Sequence, residues 1–115
     1  MYTGPPGGGT SNAQTLTVTG AVGPSINIST PSPGSGGAET ATLMNTPNGV
    51  YDWVALAVVG APATSYLQWA YVSALTGNPK TWNITMPTAS GQYEIRYFLN
   101  NGYTEAATSP TITIP

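Results

Sequence analysis

Apolar residues recur at every second position through most of this chain, between clusters of Gly, Pro, Asn and Ser. In residues 14–20, Leu16 and Val18 alternate with threonines, and in 25–30 Ile26 and Ile28 alternate with polar neighbours. The same period marks 80–86, where Trp82, Ile84 and Met86 oppose Thr81, Asn83 and Thr85. It marks 92–100 as well, where Tyr93, Ile95, Tyr97 and Leu99 share one side. A period of two is that of a half-buried strand, whose successive side chains point to opposite faces. Residues 111–114, with Ile112 and Ile114 inward, predict a last strand, and 39–44 a weaker one. Residues 50–59 are apolar at both parities, which predicts a central strand covered on both sides. Residues 65–73 leave their inward face open: Leu67, Trp69 and Tyr71 share one side, Tyr66, Gln68 and Val72 the other. The whole pattern predicts about eight or nine short strands with a turn signal about every ten residues, the spacing of an antiparallel sandwich.

Composition supports the same class. Fourteen glycines and eleven prolines punctuate the chain too often for long helices, and the runs between them favour Thr, Val, Ile and Tyr. At 115 residues the chain has the length of one domain. Residues 1–13 are rich in Gly, Pro, Ser and Thr, as flexible arms are. We expect an arm over 1–24 carrying a detached strand at 14–20, and a folded domain over 25–115. "PNG" (47–49) and "NNG" (100–102) read as hairpin turns, because Asn and Gly tolerate positive φ; Asn101-Gly102 is the expected turn between "RYFLN" and "YTEAATS".

Charge narrows the partners. Only Lys80 and Arg96 are basic, against Glu39, Asp52, Glu94 and Glu105, for a net charge of −2. Nucleic-acid binding neutralises several phosphates with Lys and Arg, which two cations cannot do, and anionic membranes are excluded as partners on the same ground. No apolar run approaches the ~20 residues of a membrane span, so no membrane insertion is expected. The opening residues lack the basic and apolar regions of a secretory leader. With Met1 as the native start, export by that route is not expected.

"SGQYEI" (90–95) resembles the tyrosine corner of immunoglobulin-like domains, in which a Gly-x-Tyr opens the penultimate strand. By that resemblance Ile95 stands where antibody domains place their second cysteine, and Trp53 where they bury a tryptophan. A longer likeness covers about residues 25–114. Residues 51–72 and 86–114 resemble a recurring bacterial and phage immunoglobulin-like module, itself similar to SKICH-type sandwiches. The matched positions are Asp52, Trp53, Ser65, Tyr66, Gly91, Tyr93, Glu94, Arg96, Asn100, Asn101, Gly102, Tyr103, Ala107, Thr108 and Ser109. Ala55 and Ala57 depart from the Gly and Tyr of the module's signature. The resemblance implies an all-β, immunoglobulin-like antiparallel β-sandwich without a disulfide, and a non-catalytic role in extracellular, surface or virion proteins. It marks Trp53, Tyr93 and Ile95 as structural residues, and the residues themselves add Asp52 and Arg96 as a pair and Gly102 as part of a turn.

Candidate chemistry is sparse. The chain has no histidine and no cysteine, so Ser-His and Cys-His nucleophile systems and the common soft-metal sites are excluded. A carboxylate pair for glycoside hydrolysis would have to come from four acidic residues whose spacing singles out no two, and no catalytic residue, metal or cofactor is expected. Asp52 and Arg96 are expected to form a cross-strand ion pair that fixes register. "NIS" (27–29) and "NIT" (83–85) match the glycosylation acceptor pattern but fall within Thr- and Asn-rich strands, where chance supplies them. Trp82 and Trp53 read as core. Trp69 and Tyr71 fit either a packed or a presented ring, and Tyr66 and Tyr103 lie at strand edges, where rings can be presented.

Two functions follow as expectations. The first is a structural or decorating module on a virion (phage capsid, tail or fibre) or a similar surface assembly. It would contact self-copies or a capsid or fibre protein, with Leu16 and Val18 of the arm adding a strand to a neighbour. The second is a carbohydrate- or cell-surface-binding module, possibly part of a larger secreted protein, using Tyr66, Trp69, Tyr71 and Tyr103. Either places the chain on a virion or an extracellular surface.

Overall fold

The computed structural model describes residues 23–115. The detached strand expected at 14–20, with Leu16 and Val18, lies outside the described residues, as does nearly all of the expected arm. Nine strands follow: β1 (Ser25–Ile28), β2 (Ala38–Met44), β3 (Trp53–Val58), β4 (Gln68–Tyr71), β5 (Thr76–Gly77), β6 (Lys80–Thr85), β7 (Gly91–Leu99), β8 (Thr104–Thr108) and β9 (Ile112–Ile114). A single 3₁₀ turn, Val72–Ala74, is the helical element among the described residues. No helix in them is long and apolar enough to cross a membrane.

The strands form two antiparallel sheets, ordered β1-β2-β6-β5 and β4-β3-β7-β8, with β9 also pairing β7. Taking β8 and β9 as two halves of one last strand, this is the order of an immunoglobulin-like sandwich with one extra strand beside the third. Pro110 lies at the break between the halves and has no N–H for a ladder. Ser109 covers the gap: its N–H donates to the Ile95 carbonyl at 2.8 Å, and its Oγ accepts the Ile95 N–H at 2.8 Å. The buried backbone of β7 therefore stays satisfied across the break.

Strand parity sorts the core. Ile26, Ala41, Leu43, Val54, Leu56, Trp82, Ile84, Tyr93, Ile95, Tyr97, Ile112 and Ile114 fill the space between the sheets, with Met86. Ile95 is fully buried opposite Leu56. The Tyr93 hydroxyl donates to the Ala89 carbonyl at 2.7 Å, which closes the tyrosine corner. Trp82 packs in the core as its alternation predicts.

Three expectations need correction. Trp53 is buried, but on the outer face of its sheet: it pairs in register with Phe98, while the neighbouring Val54 and Leu56 point inward. The positive-φ pair of the β7–β8 turn is Asn100 (52°) and Asn101 (59°), not Asn101-Gly102. The Gly102 N–H donates to the Leu99 carbonyl at 2.9 Å, closing a type I′ turn around those two asparagines. The expected strand at 65–73 pairs only over Gln68–Tyr71, ending where Val72 begins the 3₁₀ turn. Strands β5 and β8 carry too little apolar periodicity to be legible.

The Tyr97 hydroxyl, inside this core, donates to Asp52 Oδ2 at 2.8 Å and accepts the Asn48 N–H at 2.9 Å. Burial, then the bond to the Asp52 carboxylate, pushes its pKa up from 10.0 to about 12. Between those values the folded chain keeps a proton that the unfolded chain has lost, so the contribution of Tyr97 to stability is constant below pH 10.0 and falls as pH rises toward about 12. Denaturant unfolding at stepped pH is expected to show this fall, and Tyr97→Phe, less stable by about 1–2 kcal/mol at neutral pH, is expected to flatten it.

Candidate functional site: an aromatic recess on the outer sheet face

The outward positions of β3, β4 and β7 carry aromatic rings at adjacent register. Trp53 lies opposite Phe98 on one side and Tyr71 on the other, and Trp69 lies opposite Ala55. Trp53 stacks on Phe98 with centroids 4.5 Å apart and planes at 26°. Three further rings meet Trp53 edge to face: Tyr66 at 5.1 Å and 65°, Trp69 at 6.2 Å and 85°, and Tyr103 at 5.8 Å and 80°. Tyr71 meets Trp69 at 5.0 Å and 88°. Together Trp53, Tyr66, Trp69, Tyr71, Asn101 and Tyr103 line an open recess of about 190 Å³. Trp53 is 6% exposed, whereas Trp69 and Tyr103 are 50% and 52% exposed. Buried indole thus forms a floor, and presented rings form the rim.

Two anchors set the geometry. The first is the buried Asp52, one residue before β3. Its Oδ2 accepts the Tyr97 hydroxyl and the Gly49 N–H (2.9 Å), and its Oδ1 accepts the Asn100 N–H at 3.1 Å. Glycine is required at 49, because a Cβ there would stand 2.9 Å from Asp52 Oδ1. The Asn101 N–H adds a bond to the Tyr51 carbonyl at 2.8 Å. These bonds fix the turn that carries Asn101 and Tyr103 to the recess. There, Asn101 Oδ1 accepts the Tyr71 hydroxyl at 2.7 Å, and the Gly102 carbonyl accepts Trp53 Nε1–H at 3.1 Å.

The second anchor is Arg96, on the outer face of β7. Its Nε donates to Glu94 Oε2 at 2.7 Å, and its other nitrogens reach the Pro62 and Val58 carbonyls at 3.4 and 3.5 Å. It thereby steadies the 59–67 connection, which brings Tyr66 over Trp53. The expected Asp52–Arg96 pair does not form. Asp52 shares the inward parity of Val54, whereas Arg96 sits outward opposite Ala55, so the sheet lies between them. The two residues serve the same site from opposite faces.

The remaining carboxylates stand apart. Glu39 is buried toward the sandwich interior, its Oε2 accepting the Ser29 hydroxyl and the Thr30 N–H. Glu105 accepts the Thr108 hydroxyl, and partial burial raises its carboxyl, opposed by the nearby Arg96. Among the described residues, no group of three or more His, Cys, Asp or Glu stands together.

Sequence reasoning named Tyr66, Trp69, Tyr71 and Tyr103, and the fold brings all four to one recess. It missed Asn101 as a wall, Phe98 beneath, and Tyr51, whose exposed ring meets Tyr71 at 6.5 Å. Trp53 belongs to this face rather than to the inter-sheet core. The available signal was the parity of Phe98 against Tyr97 on β7, since residues 53–57 are apolar at both parities.

No protein-family model matches the chain, and no curated protein matches it. Among solved structures it is similar to the crystal structure of murine CEACAM1b, at 15% identity and a TM-score of 0.42. The match covers 91% of this chain and 49% of that one, so the chain spans about half the length of its structural neighbour.

Asp52→Ala leaves the Tyr97 hydroxyl and the Gly49 and Asn100 N–H groups without their acceptor, at a cost of about 3 kcal/mol or more. Chemical denaturation is expected to show that loss. Amide exchange is expected to show the 100–103 turn opening well before the core.

Proposed function

We propose that this chain is a non-catalytic recognition module that binds a component of a cell or particle surface through the aromatic recess. One observation carries the reading: Tyr66, Trp69, Tyr71 and Tyr103, from separate strands and connections, converge around Trp53, with two large rings half exposed. Exposed rings gathered over a rigid floor are what ligand sites use for area and orientation, whereas strand aromatics without such a role pack away. The class includes the carbohydrate-binding module expected from sequence. The proposed setting is a virion or an extracellular surface, in keeping with the resemblance to the bacterial and phage module.

A second reading has its own support. Val50 and Tyr51, 65% and 58% exposed, extend the apolar surface beside Tyr71, and a chain with six charged residues repels its copies little. Contact with self-copies or with a capsid or fibre subunit along that rim is compatible with an occupied recess.

Trp69→Ala separates recognition from folding. Its ring is half exposed and meets Trp53 and Tyr71 edge to face, so a loss of about 1–2 kcal/mol with the fold retained is expected, while binding to intact surfaces or arrayed glycans is lost. Undiminished binding by both Trp69→Ala and Tyr103→Ala would sink the reading.

A further inference from the structure

The orientation of the rings points to a narrower ligand class than "surface component", an inference that rests on the recognition reading. A sugar platform presents coplanar rings to the flat face of a pyranose and polar side chains to its hydroxyls. Here the rings stand at 65–88° to one another around the recess. Two of its polar groups are already engaged, Trp53 Nε1–H by the Gly102 carbonyl and the Tyr71 hydroxyl by Asn101. The recess therefore offers π faces in several directions, with the remaining polar groups of Tyr66, Trp69, Asn101 and Tyr103 around them.

Charge points the same way. No cationic side chain lines the recess. Arg96 is paired with Glu94, and Lys80 lies in the opposite sheet, its Nζ donating to the Leu75 carbonyl. The outer face of the recess sheet carries two carboxylates, Glu94 and Glu105, against one guanidinium. The volume of about 190 Å³ is below the roughly 300–1,000 Å³ of sites for drug-sized ligands. It equals about six water volumes, room for one compact head group.

We propose that the recess is an aromatic cage for a quaternary ammonium group of the choline type. The methylated cation would sit against the faces of Trp69 and Tyr103 over Trp53. A soft cation without N–H donors gains from ring quadrupoles what it cannot gain from hydrogen bonds. The group could be borne by a lipid head or by a substituted surface polymer, since the chemistry presented is the same.

The test is a titration of the full chain with choline and with tetramethylammonium, followed by tryptophan fluorescence. Saturable binding is expected, roughly tenfold or more tighter than for the neutral carbon isostere dimethylbutanol. Trp69→Ala and Tyr103→Ala should each weaken choline binding by about tenfold or more while leaving circular dichroism unchanged. Phosphatidylcholine vesicles and a choline-substituted polymer, run as separate arms, then assign the source. Equal affinity for the neutral isostere overturns the cage. Trp69-dependent saturation by a glucan oligosaccharide with none by choline overturns it too, and leaves the recognition reading standing. If neither these probes nor intact surfaces distinguish wild type from Trp69→Ala, both readings fall.

Discussion

The buried carboxylate of Asp52 is the constraint on which the rest of the site depends. A carboxyl group at 2% exposure is costly unless its oxygens are hydrogen-bonded, and here three donors from three segments reach them. One donor is the core residue Tyr97, one is the turn before β3, and one is the β7–β8 turn. Meeting the needs of a single carboxylate thus ties the inter-sheet core to the loop that finishes the recess.

The fold was largely legible in the sequence because its signals are local. Alternation placed Ile26, Trp82, Ile84, Ile95, Ile112 and Ile114 on inward faces, and Gly91-Gln92-Tyr93 announced the corner. Strand β8 was not legible, since "TEAAT" has no apolar period and its pairing is imposed by the turn before it. The Trp53 assignment failed for a related reason. Residues 53–57 are buried at both parities, so periodicity cannot say which side is the core; only the register against β7 decides.

The site was legible as a residue set but not as an arrangement. Tyr66, Trp69, Tyr71 and Tyr103 could be named from their edge positions, but their mutual angles depend on the 59–67 connection and the asparagine turn. Asp52 and Arg96 show the same limit. Each was marked as structural, but pairing them required both to share a face, and their parities in adjacent strands put them on opposite sides of the sheet. The sequence shows that both matter; the register shows that each positions a different wall.

The broken last strand bears on how the described sheets limit edge-to-edge pairing. With two basic and four acidic residues, there is little charge to keep exposed sheet edges apart. The edges are short instead. Strands β1 and β5, of four and two residues, flank one sheet, and β4, of four, flanks one side of the other. On the remaining side Pro110 splits β8 from β9, and its missing N–H interrupts the row of donors an incoming strand would need. The hydroxyl of Ser109 lets that interruption exist without leaving β7 unsatisfied. Resistance to edge-to-edge aggregation is thus built into chain geometry, leaving the surface free to remain nearly uncharged.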